Sequence, residues 1–185
     1  MRFVVGITGA SGALYAQRLL DQLGASEHLV HLVVTRVARE VIATELPGGL
    51  RIPPNVVEHE ISDLNAPFAS GSSPCDGMVV IPCTMGTLAR IAHGVSDNLL
   101  LRAADVVLKE RKKLILVPRE TPLNLVHVRN MELLILAGAT VLPANPSFYV
   151  NPRTAIEVVD TVVARVLDHL GVRHNLAVRW HDEAE

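Results

Sequence analysis

The chain has 185 residues, 49% of them hydrophobic and only 3% aromatic, with a formal net charge of −2. That length fits one domain with a substantial core, and the charge and scarcity of rings exclude a dedicated nucleic-acid surface. Two cysteines, Cys75 and Cys83, cannot supply a disulfide framework or a four-sulfur metal site.

In chain order, apolar runs bounded by turn residues predict strands at Phe3–Ile7, Leu29–Val34, Gly77–Ile81, Leu114–Val117 and Ala139–Leu142, each buried on both faces. Three- and four-residue apolar spacing predicts helices at Ala13–Leu23, Val37–Glu45, Leu88–His93, Leu99–Lys112, Leu125–Ala137 and Ala155–Leu170. This is βαβ repetition. It predicts an α/β fold: an open, mostly parallel sheet with helices on both faces, Rossmann/flavodoxin-like. The Pro-, Gly- and Ser-rich stretch from Leu46 to Asp76 is an excursion with weak strands and an active-site loop. Residues 171–185 read as a polar tail on this single domain, with Trp180 as an anchor. No apolar run reaches the roughly 20 residues of a membrane span, and no leader pattern opens the chain, so the expectation is a cytoplasmic protein with no membrane partner.

The stretch GITGASGA, residues 6–13, places small residues where the first strand hands over to a helix. Gly9, Ala10, Ser11 and Gly12 let the backbone approach a ligand, and a helix N-terminus offers N–H donors to an anion. The spacing is neither GxGxxG nor a Walker loop nor a GxSxG elbow. A plain tight turn with Ser11 as cap is the alternative. In an open α/β sheet the residues after every strand converge on one crevice. Those residues are Thr35 after the second strand, Pro82-Cys83-Thr84-Met85-Gly86-Thr87 after the third, Arg119-Glu120 after the fourth and Asn145–Tyr149 after the fifth. Each has a structural alternative, Thr84 as an N-cap and Arg119 with Glu120 as a surface pair; jointly they resemble a site. On the fourth helix Arg102 and Lys109 lie two turns apart on one stripe, with Asp105 between them for a salt-bridge ladder. His93, His127 and His169 fall on predicted helices, where core or surface roles outweigh catalysis.

The combination of GITGASGA, ASGSSP, IPCTMGTLA, RAADVVLKER, PRETP and PSFYVNP, spread from Phe3 to about Trp180, resembles the flavin prenyltransferase (UbiX) family. The resemblance implies a flavodoxin-type domain assembled into a homododecamer. The implied reaction transfers a dimethylallyl group from dimethylallyl phosphate to N5 and C6 of reduced FMN, making prenylated FMN for a UbiD-type decarboxylase. It assigns Gly9, Ala10, Ser11, Thr35, Thr84, Met85, Gly86, Thr87 and Arg119 to FMN, Met85 through its backbone. It assigns Ser70, Arg102, Lys109, Glu120, Tyr149 and Arg165 to the phosphate of the donor, and Trp180 to its prenyl chain. It makes Ser11, Glu45, Glu120 and Lys109 the catalytic group. Glu45 at a helix C-terminus, the negative end of the dipole, has a poor structural reason to be there.

The chemistry suits this inventory. Ionising an allylic phosphate creates charge that preorganised cations stabilise, here Arg102, Lys109 and Arg165. With no DDxxD motif, no metal dependence is expected. Glu120 is expected to protonate the departing phosphate, and Ser11 to hydrogen-bond near flavin N5. Two alternatives share the fold: an FMN-dependent cysteine decarboxylase, whose PASANT and PxMNxxMW strings are absent here, and a non-catalytic FMN-binding paralogue, which would have no use for a second phosphate site. The run MELLILA, Met131 to Ala137, has little polar face and predicts a surface buried against other copies of the chain.

Overall fold

A parallel strand covered on both faces needs apolar side chains at every position rather than alternately, and the buried runs Phe3–Ile7, Gly77–Cys83 and Leu114–Pro118 obey that rule. In the computed structural model, which describes residues 1–176, β1 (Arg2–Ile7), β2 (Leu29–Val34), β3 (Val56–His59), β4 (Gly77–Cys83), β5 (Lys113–Pro118) and β6 (Thr140–Val141) form one sheet. Every pairing is parallel and the order is β3-β2-β1-β4-β5-β6. All seven residues of β4 are buried.

The helices are α1 (Ala13–Gly24), α2 (Arg36–Glu45), α3 (Met85–Ala92), α4 (Leu99–Lys109), α5 (Leu125–Leu136) and α6 (Ala155–Leu170). One core lies between the sheet and α1, α2 and α6, and a second between the sheet and α3, α4 and α5. Arg18 of α1 and Asp160 of α6 clamp the first layer through two 2.8 Å hydrogen bonds.

Several boundaries differ from the sequence reading. Thr84 caps α3 by accepting from the Thr87 N–H, so the helix opens at Met85 rather than Leu88. α4 stops at Lys109 rather than Lys112, because Arg111 adopts a left-handed φ of 53° and Lys112 Nζ donates to the Ser73 carbonyl at 3.1 Å. β6 shrinks to two residues. The excursion contains β3 and a 3-10 turn at Pro67–Ala69. The start of the expected tail is anchored: Val172 is buried, Leu176 packs on the first core, and His174 Nε2 lies 3.2 Å from Asp168 Oδ1. Trp180 lies outside the described residues.

The chain winds outward from β1 through β2 to β3, and from β4 through β5 to β6. Its direction reverses between β1 and β4, which is the switch point where open α/β sheets hold their ligands.

Candidate active site

Two helices begin side by side at that point, α1 after Thr8–Gly12 and α3 after Thr84. A residue not singled out in the sequence stitches their turns together. Thr8, 1% exposed, donates from Oγ1 to the Pro82 carbonyl at 2.8 Å and accepts from the Thr84 N–H at 2.8 Å. The only advance signal was a hydroxyl between a buried strand and a glycine turn.

The glycines of the first turn answer to packing. A Cβ on Gly9 would press into the Val37 side chain and sit 3.4 Å from the Val37 backbone carbon. Gly12 takes φ 118°, which only glycine adopts readily. The anion position above this turn is filled by the chain itself. Glu45 Oε2 accepts from the Gly12 N–H at 2.8 Å and the Ala13 N–H at 2.7 Å. Partial burial raises the carboxyl pKa, but hydrogen bonds from the Ser11 hydroxyl and those two N–H groups, with the nearby Arg119 charge, outweigh it and hold Glu45 below its ordinary range. Glu45 thus ends α2 but serves the positive end of α1. Ser11 is not the side-chain cap of α1 that the plain reading supposed; that helix has no side-chain bond from its N-cap residue, Gly12.

The second turn is left open. Thr84 Oγ1 accepts from Thr87 N at 3.1 Å and lies 2.9 Å from Thr87 Oγ1. Gly86 is exposed, has an ordinary φ, and a Cβ there would meet nothing within 4 Å. No packing demand explains this glycine, whereas a ligand resting on the helix end would. Met85 is 5% exposed and belongs to the second core, so a contact from it to a ligand runs through its backbone. Burial pushes the Cys83 thiol up to about 12, which keeps it protonated and unreactive. Thr35 caps α2 by accepting from the Ala38 N–H at 3.2 Å. Arg119 closes the cleft from β5: its Nε donates to the Ser11 carbonyl at 3.1 Å and its N–H to the Cys83 carbonyl at 3.4 Å. Glu120 beside it is exposed and accepts from the Thr121 N–H at 3.0 Å. Helix-end donors, small hydroxyls and a guanidinium around an open glycine suit a flavin mononucleotide, with its phosphate, polar chain and flat ring edge.

The other residues form separate groups. Arg102 donates from Nε to the Ala69 carbonyl at 3.0 Å and from a terminal nitrogen to Asp105 at 2.9 Å, realising the salt-bridge reading of the α4 stripe. Lys109 pairs with Glu110, and a Cβ on Gly71 would lie 2.5 Å from its ammonium. Ser70, whose Oγ lies 3.1 Å from Ser72 Oγ, therefore shares one patch with Arg102 and Lys109 on the α4 side of the sheet. Arg165 lies on α6, across the sheet, paired with Asp168 at 3.0 Å. Tyr149 is exposed in the connection before α6. Within one chain the sheet lies between α4, which carries Arg102 and Lys109, and α6, which carries Arg165. Two of the histidines expected on helices have structural partners: His93 bonds Asn130 at 3.0 Å and His127 completes the cap of α5 with Asn124.

The family model described as Flavoprotein matches residues 1–171. The flavin prenyltransferase UbiX of Halalkalibacterium halodurans is 45% identical, over 99% of this chain and 95% of its own. The chain belongs to the flavin prenyltransferase family. The enzyme of the same name from Pseudomonas aeruginosa is 41% identical, over 98% and 95%. Among solved structures, AnUbiX in complex with FMN and dimethylallyl pyrophosphate superposes with a TM-score of 0.91 at 39% identity, covering 99% of this chain and 98% of that one. A dodecameric FMN-dependent UbiX-like decarboxylase from Escherichia coli O157:H7 gives 0.94 at 44%, covering 98% and 100%.

Proposed function

We propose that this chain is a flavin prenyltransferase that joins a dimethylallyl group to N5 and C6 of FMN at the cleft between the β1 and β4 turns. The observation that carries the reading is the open helix end at Thr84–Thr87, with Gly86 unexplained by packing, beside a turn already closed by Glu45. Reduced FMN, when bound, supplies the nucleophilic ring atoms. The Ser11 hydroxyl, bonded to the ionised Glu45, holds a proton at the ring edge. Arg119 fixes the Ser11 carbonyl and so the position of that hydroxyl.

Arg102, Lys109 and Arg165 stabilise the departing phosphate without a metal, and Glu120 gives it a proton. Their separation in one chain is met if neighbouring copies complete each site. The exposed apolar residues of α5, among them Leu125, Ile135 and Leu136, together with Phe148 support such a homo-oligomer, a dodecamer in this reading. The donor is dimethylallyl phosphate, and the product passes to a UbiD-type decarboxylase. Both cysteines are buried and unpaired, which suits a reducing cytoplasm.

The test is mass spectrometry of flavin recovered after anaerobic incubation with reduced FMN and dimethylallyl phosphate, with chelator present. A gain of one five-carbon unit is expected, reduced at least a hundredfold in Lys109→Ala or Glu120→Gln. Unmodified flavin from the unaltered protein would defeat the transferase reading; full turnover by Glu120→Gln would remove only its acid.

A further inference from the structure

The excursion that carries Ser70 is held down by a feature the reaction does not use. Strand alternation puts His31 of β2 and His59 of β3 on the α3–α4 face of the sheet, while Glu58 points the other way to pair with Arg39 at 2.7 Å. At that edge the sheet is covered by the 3-10 turn, whose Phe68 is 3% exposed. The three rings form a closed cluster. His31 Nδ1 lies 2.9 Å from His59 Nε2, and the Phe68 centroid is 5.0 Å from His31 and 5.1 Å from His59. The next residue, Ala69, supplies the carbonyl that receives Arg102 Nε.

We propose that His31 and His59 form a clasp that seats Phe68 against the sheet edge, positions Ala69–Ser70 against Arg102, and releases when both rings are protonated. A nitrogen-to-nitrogen hydrogen bond needs one lone pair, so the clasp holds with neither ring or one ring charged and fails with two. The charged groups around His31 are Arg2 from β1 and the His59 ring from β3. The 3-10 turn packs Phe68 against both rings, and Arg102 of α4 reaches the Ala69 carbonyl beside it and is paired with Asp105. Burial foremost, then His59 and Arg2, lowers the His31 pKa. A lowered folded value means that the clasp is complete above the ordinary histidine value of about 6.5 and is lost as pH falls through the folded value of His31. The two histidines are positioning residues, acting through Phe68 and Ala69.

The link to catalysis rests on Arg102 and Ser70 binding the donor; the clasp itself does not. Amide hydrogen exchange across residues 66–73 of the intact protein, corrected for intrinsic rates, is compared at pH 7.5 and 5.0 with the KM for dimethylallyl phosphate. Protection should fall about tenfold in acid and KM should rise with kcat little changed. His59→Gln keeps an acceptor but not the second charge, and should abolish the pH response of both. Protection independent of pH in the unaltered protein, or an acid loss that persists in His59→Gln, overturns the proposal. Protection that responds while KM does not supports the clasp and removes the donor role of Arg102 instead.

Discussion

The turn after β1 and the turn after β4 look like equivalent devices: each follows a strand buried through its last residue, each is rich in small residues, and each opens a helix at the same edge of the sheet. Their structures differ in one decisive respect. The first is filled by Glu45, a carboxylate from 33 residues downstream, and its glycines are required by Val37 and by a left-handed φ. The second is capped by Thr84, which accepts from the Thr87 N–H, and its glycine faces open space. A helix N-terminus attracts an anion, and where the fold can bring a carboxylate to it, that carboxylate takes the place. The turn richer in glycine is the one already satisfied.

Four substitutions break or sharpen that contrast, ordered by their effect on unfolding free energy in urea. Gly9→Ala drives a methyl into Val37 at the start of α2 and should cost about 1–3 kcal/mol; no change would mean that α2 yields. Glu45→Ala leaves the first N–H groups of α1 without their acceptor and should cost about 1–2 kcal/mol. Because the folded Glu45 pKa is lowered, its contribution is present above the unfolded carboxyl value and lost as pH falls through the folded one. Denaturation at pH 7 and pH 3.5 should therefore show the variant and the unaltered protein converging in acid. Thr84→Ala removes a single cap bond and should cost about 1 kcal/mol. Gly86→Ala should change stability by less than about 0.5 kcal/mol, yet weaken FMN binding at least tenfold in a fluorescence titration, since the methyl occupies the space left for the ligand. A Gly86→Ala protein that binds FMN normally would return this turn to the same class as the first.

Much of this was legible in the sequence. Burial on both faces writes parallel strands as unbroken apolar runs, so β1, β2, β4 and β5 were found within a residue or two. β3 was harder because an edge strand of four residues, three of them not buried, carries only half of that signal. The convergence of Ser11, Thr84 and Arg119 followed from the rule that residues after parallel strands meet at one edge. Thr8 was missed because its hydroxyl serves backbone groups of another turn, a relation with no local pattern.

By itself the sequence determined the alternation of strands and helices, the edge at which the site lies, and the family, because these depend on local apolar periodicity and short contiguous motifs. Only the tertiary structure decided that Glu45 belongs to α1 rather than to the end of its own helix. It also placed Arg102 and Lys109 on one side of the sheet and Arg165 on the other. Those outcomes depend on strand order and on how far a side chain reaches between elements distant in the chain, and neither quantity is written in any local stretch of residues.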